Sequence, residues 1–390
     1  MTRRTREETR LIRAGMSAGG RLVKTVGPPI QKGSTVLMPD AASLYDETQV
    51  TYGRGGLAAQ NALMDALAEL EGAKAVRLFP SGLAALTGAL MAVLKAGDEV
   101  LVTDTIYKPT RRFCDNVLTR YGVSVRYFEP RTAPDALPWS PATRLVLMES
   151  PGSLTFEMHD VPAVAAAARA RGALSMIDNT WGAGLIFKPL AHGVDLSVQA
   201  LTKYVGGHSD VFMGSAAASD PALCLALDHA VWDFGWSVAA EDAYQMLRGL
   251  RTLPTRMARH GESSLAIARW LRDQPEVLQV LHPALPGAPD HDLWKRDFSG
   301  AAGLFGVVLK PTSEASVHAL LDALSLFGLG FSWGGFESLA LDCDHQLVHR
   351  RFRKTYDGPI LRLNIGLEDP GDLIEDLRRG LDALSGSAAR

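Results

Sequence analysis

The chain has 390 residues, of which 47% are hydrophobic and 21% charged, with a formal net charge of -3. This length predicts two domains, and the composition is typical of a soluble globular enzyme. No basic tract suggests nucleic acid as a partner, and no apolar run reaches the ~20 residues that a membrane span needs.

The N-terminal segment, residues 1–56, is predicted to be an extended arm, because it lacks sustained periodicity and ends at Tyr52-Gly-Arg-Gly-Gly. No apolar stretch follows its early arginines, which argues against a secretory signal. Three widely spaced cysteines, Cys114, Cys224 and Cys343, predict reduced thiols in a cytoplasmic protein. They form no disulfide or metal-binding pattern.

Helices and short apolar strands alternate after the arm. A leucine stripe predicts a helix over 57–70, ended by Gly72, and a second helix covers 83–94. Strands are predicted over 99–103, 123–128 and 144–149, up to Asp178, near Gln199 and over 211–217, with helices over 110–120 and 161–171. This order predicts an α/β fold, with a doubly wound, mostly parallel sheet in a domain of residues 57–254.

The order of elements changes past about residue 255. A strand over 303–310, a helix over 313–324, a strand over 361–365 and a closing helix over 371–384 are predicted. We interpret residues 255–390 as a smaller C-terminal α+β domain.

Two ionisable residues lie where consecutive predicted strands end, Asp178 and Lys203. Ligands of such sheets bind beyond the carboxyl ends of the strands. A partly buried lysine can form a Schiff base with an aldehyde cofactor, and an acid can pair with a pyridinium nitrogen, which are the two anchors of pyridoxal phosphate. Taken singly, Asp178 could cap a turn and Lys203 could be a solvated lysine; together they favour the cofactor.

A phosphate group needs backbone N–H groups and hydroxyls at a helix start. Ser81 and Gly82 offer such a site, although a plain helix cap fits the same residues. Thr202 adds a hydroxyl, and Tyr52 and Arg54 add a phenol and a guanidinium on the arm. An arm that far from its own fold could reach a neighbouring subunit.

Three further positions suggest a ring platform and a carboxylate site. Tyr107 follows a strand end and could stack on a pyridine ring, or simply pack. Arg362 lies in an apolar strand, so its charge needs a partner, either a substrate carboxylate or a structural Asp or Glu. The turn Ser332-Trp333-Gly-Gly could line a pocket mouth or be a packed loop.

Several motifs together resemble the transsulfuration enzymes that carry pyridoxal phosphate. They are Tyr52-Gly-Arg54, Ser81-Gly-Leu-Ala-Ala85, Met176-Ile-Asp-Asn-Thr-Trp181, Gln199-Ala-Leu-Thr-Lys-Tyr204, Gly207-His-Ser-Asp210 and Leu361-Arg-Leu-Asn-Ile-Gly-Leu-Glu368. The match extends over nearly the whole chain. Four more motifs are similar to the bacterial β-lyase branch of this family: Glu149-Ser-Pro-Gly-Ser, His282-Pro-Ala-Leu-Pro-Gly287, Trp294-Lys-Arg-Asp-Phe298 and Ser332-Trp-Gly-Gly335.

The resemblance implies an aminotransferase-like fold of the pyridoxal phosphate fold type I, in a homotetramer built from dimers. It implies that Lys203 is the Schiff-base lysine, that Asp178 binds the pyridine nitrogen and that Tyr107 stacks on the ring. The remaining roles that it implies are a phosphate cradle of Ser81, Gly82, Leu83 and Thr202, completed by Tyr52 and Arg54 of the adjacent subunit, carboxylate contacts from Arg362 and Ser332, and Trp333 and Tyr244 flanking the substrate.

The activity implied by the resemblance is β-elimination of L-cystathionine to homocysteine, pyruvate and ammonia, a step of methionine biosynthesis, with a small amino-acid thioether as substrate. Lys108-Pro109 after the stacking tyrosine favours this branch, whereas Gly55-Gly-Leu57 departs from the family's polar residues. The alternatives are γ-elimination or γ-replacement, cleavage of cystine or a related conjugate, and a pyridoxal-binding regulatory protein. A nicotinamide-dependent oxidoreductase would need a fingerprint that the sequence lacks.

Overall fold

The computed structural model describes residues 5–13, 25–46, 48–352 and 356–388, which form two β-sheets with helices around them. Those parts of the predicted arm that fall on residues 1–4, 14–24 and 47 lie outside the described residues. In the described part of the arm, Glu7–Ile12 form a short helix, α1, with Leu11 buried. This short helix was not predicted, because one apolar residue per turn is too weak a periodic signal. The extended arm itself stays a prediction.

The larger sheet has seven strands in the order β1-β7-β6-β5-β4-β2-β3. Its strands are β1 (Ala75–Phe79), β2 (Glu99–Thr103), β3 (Ser124–Phe128), β4 (Thr143–Glu149), β5 (Leu174–Asp178), β6 (Leu196–Gln199) and β7 (Gly214–Ala218). Five neighbours, β3-β2-β4-β5-β6, are parallel, whereas β7 is antiparallel to both β6 and β1. The predicted α/β class with a mostly parallel sheet is confirmed.

Helices cover both faces of this sheet, as parallel strands require. Alternate strand residues belong to two hydrophobic clusters: Leu101 and Ile177 face one cluster, whereas Val102 and Met176 face the other. The helices before and within this part of the chain are α2 (Ala58–Glu71), α3 (Gly82–Val93), α4 (Lys108–Phe113), α5 (Val161–Ala170), α6 (Pro221–Asp233), α7 (Ala240–Arg251) and α8 (Leu253–Arg272). The sequence did not predict β1 or α6 to α8.

The smaller sheet has five strands in the order β10-β11-β12-β9-β8. Its elements are β8 (Val277–Leu281), α9 (His291–Asp297), β9 (Leu304–Leu309), α10 (Glu314–Ala323), β10 (Gly328–Leu329), β11 (Leu339–Asp342), α11 (Asp344–Leu347), β12 (Ile360–Asn364) and α12 (Pro370–Ala388). A third hydrophobic cluster joins this sheet to α8, α10 and α12. The predicted boundary at 254/255 falls in the first turn of α8, and the domain limits stay a prediction.

Among the described residues, none of the helices has both the length and the apolar character to cross a membrane.

Candidate active site

The carboxyl ends of β4, β5 and β6 open into a cavity of about 690 Å³, a volume in the usual range of small-molecule sites. Most of the residues predicted from the sequence line this cavity, although they come from distant parts of the chain. They are Ser81, Gly82, Leu83, Tyr107, Asp178, Thr202, Lys203, Trp333 and Arg362.

Lys203 lies in the turn that follows β6, with its amine directed towards the loop before β11. Its Nζ donates a hydrogen bond of 2.9 Å to Ser332 Oγ and lies 5.4 Å from the centre of the Trp333 ring. Burial and the nearby Arg362 guanidinium lower the pKa of the Lys203 amine to about 8, although Asp178 opposes the shift. A substantial fraction of this amine is therefore neutral near physiological pH and can attack an aldehyde.

Asp178 is the last residue of β5 and is buried. Its Oδ1 accepts hydrogen bonds from the backbone N–H of Thr180, at 3.0 Å, and from Thr180 Oγ1, at 2.5 Å. Asp178 thus closes a local turn, as one alternative predicted, and also lines the cavity. Burial raises its pKa, while the Thr180 bonds and the Lys203 charge oppose that rise. Both bonds use Oδ1, so Oδ2 is the oxygen that can pair with a ring nitrogen.

Glu149 is a site residue that the sequence reasoning missed. It ends β4 directly beside Asp178 in the strand register, and it lines the cavity. Its Oε2 accepts from the backbone N–H of Tyr107 at 2.7 Å, and its Oε1 accepts from Ser153 Oγ at 2.6 Å. Burial, and secondly the Asp178 charge, raise the pKa of Glu149 to about 8. The available signal was the one that identified Asp178: an acid ending a buried strand.

Thr180 was also missed as a site residue, although it fixes two elements of the site. Its hydroxyl donates to Asp178 and accepts from the backbone N–H of Ala200 at 2.9 Å. A threonine two residues after an aspartate is a common local hydrogen-bonding arrangement, so the Asp-Asn-Thr sequence contained the signal. Through this hydroxyl, the end of β5 is tied to the turn that carries Lys203.

The start of α3 forms the proposed phosphate end of the cavity. Ser81 Oγ accepts from the Ala84 backbone N–H at 3.1 Å, so the helix-cap alternative is realised there. The first N–H groups of a helix have no partner within it, so Gly82 and Leu83 can offer theirs to an anion. The Thr202 hydroxyl exchanges hydrogen bonds with the Met213 backbone, at 3.1 Å and 3.0 Å.

Gly82 is required by packing at this position. A Cβ added to it would lie 2.4 Å from Ala200 Cβ and 2.8 Å from Ala200 Cα. The sequence predicted a glycine here because a phosphate must approach the backbone closely. The contact with the turn before Lys203 is a second and stronger reason for glycine at this position.

Arg362 forms the proposed carboxylate end. This buried guanidinium donates to the backbone oxygens of Phe331, at 2.9 Å, and Ser332, at 3.1 Å. Within the described ranges, no Asp or Glu oxygen lies within 4 Å of it, so the structural-carboxylate alternative is not realised. Burial lowers its pKa. A buried cation that lacks a counterion is suited to bind the carboxylate of a ligand.

Tyr107 and Trp333 supply aromatic surface on this cavity. Tyr107 precedes α4, and 45% of its surface is exposed, so one ring face is open to a ligand. Burial, Asp178 and Glu149 raise the pKa of its phenol. Trp333 is held by an edge contact with Tyr204, with ring centres 5.4 Å apart.

Ser332 does not itself line the cavity and meets it through its 2.9 Å hydrogen bond with Lys203, and three other predicted residues do not reach the cavity of their own chain. Tyr244 lies on α7 and packs against Gly27 of the arm. A Cβ added to Gly27 would lie 3.0 Å from the hydroxyl oxygen of Tyr244. Tyr52 pairs with Thr35 within the arm. The Arg54 guanidinium donates to Trp232 O at 2.8 Å and stacks 4.4 Å from the centre of the Trp232 ring. Their predicted contacts with cofactor and substrate stay predictions.

The cavity residues fit pyridoxal phosphate. The arrangement offers a lysine with a lowered pKa, a buried carboxylate oxygen for the ring nitrogen, an open tyrosine face and a helix start for the phosphate. No other cofactor considered from the sequence needs all four.

Most of the chain is similar to proteins of one family. Residues 8–382 match the family described as Cys/Met metabolism PLP-dependent enzymes. A putative cystathionine beta-lyase of Rhizobium johnstonii is 48% identical, covering 92% of each chain, and the cystathionine beta-lyase MetC of Escherichia coli is 41% identical, covering 96% of this chain and 97% of its own. The crystal structure of a cystathionine gamma synthase from Xanthomonas oryzae pv. oryzae, in complex with cystathionine, superposes with a TM-score of 0.90 at 32% identity, covering 98% of this chain and all of that one.

Proposed function

Because the chain belongs to the family of Cys/Met metabolism PLP-dependent enzymes, we propose that it cleaves L-cystathionine by β-elimination, releasing homocysteine, pyruvate and ammonia. Its cofactor is pyridoxal phosphate, as the sequence predicted. The observation that carries the proposal is the full-length similarity to enzymes named cystathionine beta-lyase. A place in methionine biosynthesis follows from the same reaction, because homocysteine carries the sulfur and carbon chain of methionine.

The cofactor, when bound, supplies an electron-withdrawing ring that makes the α-proton of an amino acid acidic. Lys203 Nζ is the atom that we propose bonds to the cofactor aldehyde. Its lowered pKa of about 8 also suits it to take the proton from the substrate Cα and to return one to the departing sulfur. Ser332 Oγ, 2.9 Å away, holds the amine on the side of the carboxylate site.

Four residues orient the reacting groups in this proposal. Asp178 Oδ2 keeps the ring nitrogen protonated, and the open face of Tyr107 supports the ring. Arg362, whose guanidinium is already held by three loop carbonyls, binds the substrate α-carboxylate without much further ordering. Trp333 supplies an aromatic face 5.4 Å from the Lys203 amine.

We propose that the first turn of α3 and Thr202 would hold the cofactor phosphate, and that Tyr52 and Arg54 would reach it from a second copy of the chain. Two observations support this. Both residues lie outside the cavity of their own chain, and the same arm carries exposed apolar residues, among them Leu37 and Tyr45, which are 91% and 90% exposed. We propose a cytoplasmic homotetramer built from such dimers. Light scattering of the holoenzyme should give four chains, and a monomer would contradict this assembly.

Identifying the keto acid formed from L-cystathionine tests the proposed reaction. β-Elimination gives pyruvate, whereas γ-elimination gives 2-oxobutyrate and γ-replacement gives a new thioether, so mass spectrometry of the products separates the alternatives. The Lys203→Ala variant is the control and should form neither keto acid. Predominant 2-oxobutyrate would overturn the proposal, and faster turnover of L-cystine than of cystathionine would reassign the substrate.

A further inference from the structure

The cavity is lined by a second arginine without a carboxylate partner, the half-buried Arg350. Among the residues that the structure describes, three arginines line it, Arg111, Arg350 and Arg362. Arg111 is paired with Asp104 at 2.5 Å and stacks on Tyr127. Arg350, like Arg362, has no Asp or Glu oxygen within 4 Å in the part of the chain that the structure describes.

Neutral oxygens hold the Arg350 guanidinium in place. Its Nη1 donates to Thr155 Oγ1 at 2.5 Å, and its Nη2 donates to the backbone oxygen of Ser153. Glu157, Asp104 and Glu149 lie near enough to favour the charged form, yet burial outweighs them and lowers the pKa of Arg350. A buried guanidinium costs free energy unless a hydrogen-bonded anion accompanies it. An anion that enters this cavity is therefore attracted to Arg350.

Arg350 and Arg362 both line the cavity but are connected to different groups around it. Arg362 is linked to Lys203 through Ser332, whose backbone oxygen binds the guanidinium and whose hydroxyl binds Nζ. Arg350 is linked to the other side through Ser153, whose hydroxyl donates to Glu149, which in turn holds the Tyr107 backbone. The two guanidinium groups are therefore placed to bind two different ends of a ligand.

We propose that Arg350 binds the carboxylate on the sulfur substituent of the substrate, the end that leaves with the sulfur. This inference rests on the proposed function and names its substrate class, namely cysteine thioethers that carry a second carboxylate. Arg362 binds the carboxylate that stays with the cofactor, and Arg350 binds the one that departs. The guanidinium is pre-ordered by Ser153 and Thr155, so little freedom is lost when the carboxylate binds.

Two matched substrates isolate this contact. S-(3-carboxypropyl)-L-cysteine is cystathionine without its distal amine, and S-butyl-L-cysteine replaces the distal carboxylate with a methyl group. The wild-type holoenzyme should form pyruvate from the first with a kcat/KM about tenfold or more above that for the second. In Arg350→Gln, kcat/KM for the carboxypropyl substrate should fall about 10- to 100-fold, the usual range for a hydrogen bond to a charged group, while the butyl substrate should change less than about threefold.

Two further variants separate recognition from damage to the loop. Arg350→Lys keeps the charge and should recover part of the preference for the carboxypropyl substrate. Arg351→Gln removes the next arginine, which stacks on Tyr127 at 4.8 Å. This variant should leave kcat/KM for both substrates unchanged.

The inference is overturned if Arg350→Gln lowers kcat/KM equally for both substrates, because the arginine then acts only in packing. It is also overturned if the variant changes kcat/KM for neither substrate. A wild-type enzyme that forms pyruvate from both substrates equally well would also overturn it, while the proposed function would stand. No pyruvate from either substrate or from cystathionine would overturn the proposed function, and this inference with it.

Discussion

Burial sets the protonation states at the centre of the cavity. The Lys203 amine and the Glu149 carboxyl both have a pKa shifted to about 8 towards their neutral forms, because a poorly solvated site disfavours charge. Asp178 and Glu149 each accept two hydrogen bonds, but the Lys203 charge favours the ionised form of Asp178, whereas the Asp178 charge disfavours the ionised form of Glu149. Of the two adjacent carboxyls, Asp178 is therefore the one that carries the negative charge, as a partner of a protonated ring nitrogen must.

The lowered pKa of Lys203 predicts how cofactor attachment depends on pH. In cofactor-free protein mixed with pyridoxal phosphate, the rate of attachment should rise with pH and level off above about 8, because only the neutral amine attacks the aldehyde. The growth of the visible absorption of lysine-bound cofactor measures this rate. Lys203→Ala should show no such band. A rate that keeps rising to about pH 10, as for an ordinary lysine, would contradict the lowered pKa.

Glu149 predicts a loss of stability with rising pH. Its pKa in the folded state, about 8, lies above the ordinary 4.5, so between these values the folded chain holds a proton that the unfolded chain has lost. Stability should therefore fall as pH rises through this window. In cofactor-free Glu149→Gln the fall should be smaller by about 1–4 kcal/mol, measured by denaturant unfolding at both ends of the window.

The control for that experiment is Glu375→Gln, which changes an exposed glutamate on α12. It should retain the slope of the wild type. An equally steep fall in Glu149→Gln would show that another group titrates.

At the scale of elements, the site depends on how closely the first turn of α3 packs against the turn after β6. Small residues at Gly82 and Ala200 allow that approach, and the hydroxyl of Thr180 joins the end of β5 to the same turn. The phosphate end and the Lys203 turn are therefore positioned by one contact between elements that are more than a hundred residues apart.

Gly82→Ala should disturb this contact. The added Cβ would lie 2.8 Å from the backbone at Ala200, so α3 and the lysine turn must separate, at a cost on the order of 1–3 kcal/mol. The melting temperature, Tm, should fall. The Kd for pyridoxal phosphate should rise, because the phosphate site and Lys203 move apart. Gly33→Ala is the matched control, since a Cβ there would meet, among the described residues, only Thr35 O, at 3.5 Å. Wild-type affinity in Gly82→Ala would refute the role of this contact.

At the scale of the whole molecule, one chain does not complete the predicted site. Arg54 is held by Trp232 of its own chain, and Tyr52 is paired within the arm. The arm and α6 also expose apolar side chains, including Tyr45, Trp232 and Phe234. An exposed apolar surface beside missing site residues is what a shared active site between two copies requires.

Mixing two inactive variants tests the shared site. Lys203→Ala lacks the reacting amine, and Arg54→Ala lacks the proposed phosphate contact, so each alone should have little activity. After subunit exchange at equal amounts, about half of the dimers should be hybrids with one intact site each, restoring about a quarter of the wild-type activity. If light scattering of tagged chains shows that exchange occurred and activity is still not recovered, Arg54 serves its own chain and not the active site of the neighbouring chain.

The sequence by itself determined the fold class, and it predicted the residues at the centre of the cavity. Periodicity placed β2 and β4 to β6 within a few residues, and an acid and a lysine at strand ends identified Asp178 and Lys203, because both signals are local. It did not reveal β1 or α6 to α8, although α7 buries Ala243, Met246, Leu247 and Leu250 at helical spacing, which is a local signal.

Only the tertiary structure decided which residues meet. The pairing of Glu149 with Asp178 depends on the register of two strands, the packing reason for Gly82 depends on a turn more than a hundred residues later, and the unpaired Arg350 depends on where every carboxylate near it lies. Likewise, the position of Tyr244 against the arm depends on how α7 packs. Such contacts are fixed by the burial of the whole chain, which no local window of the sequence contains.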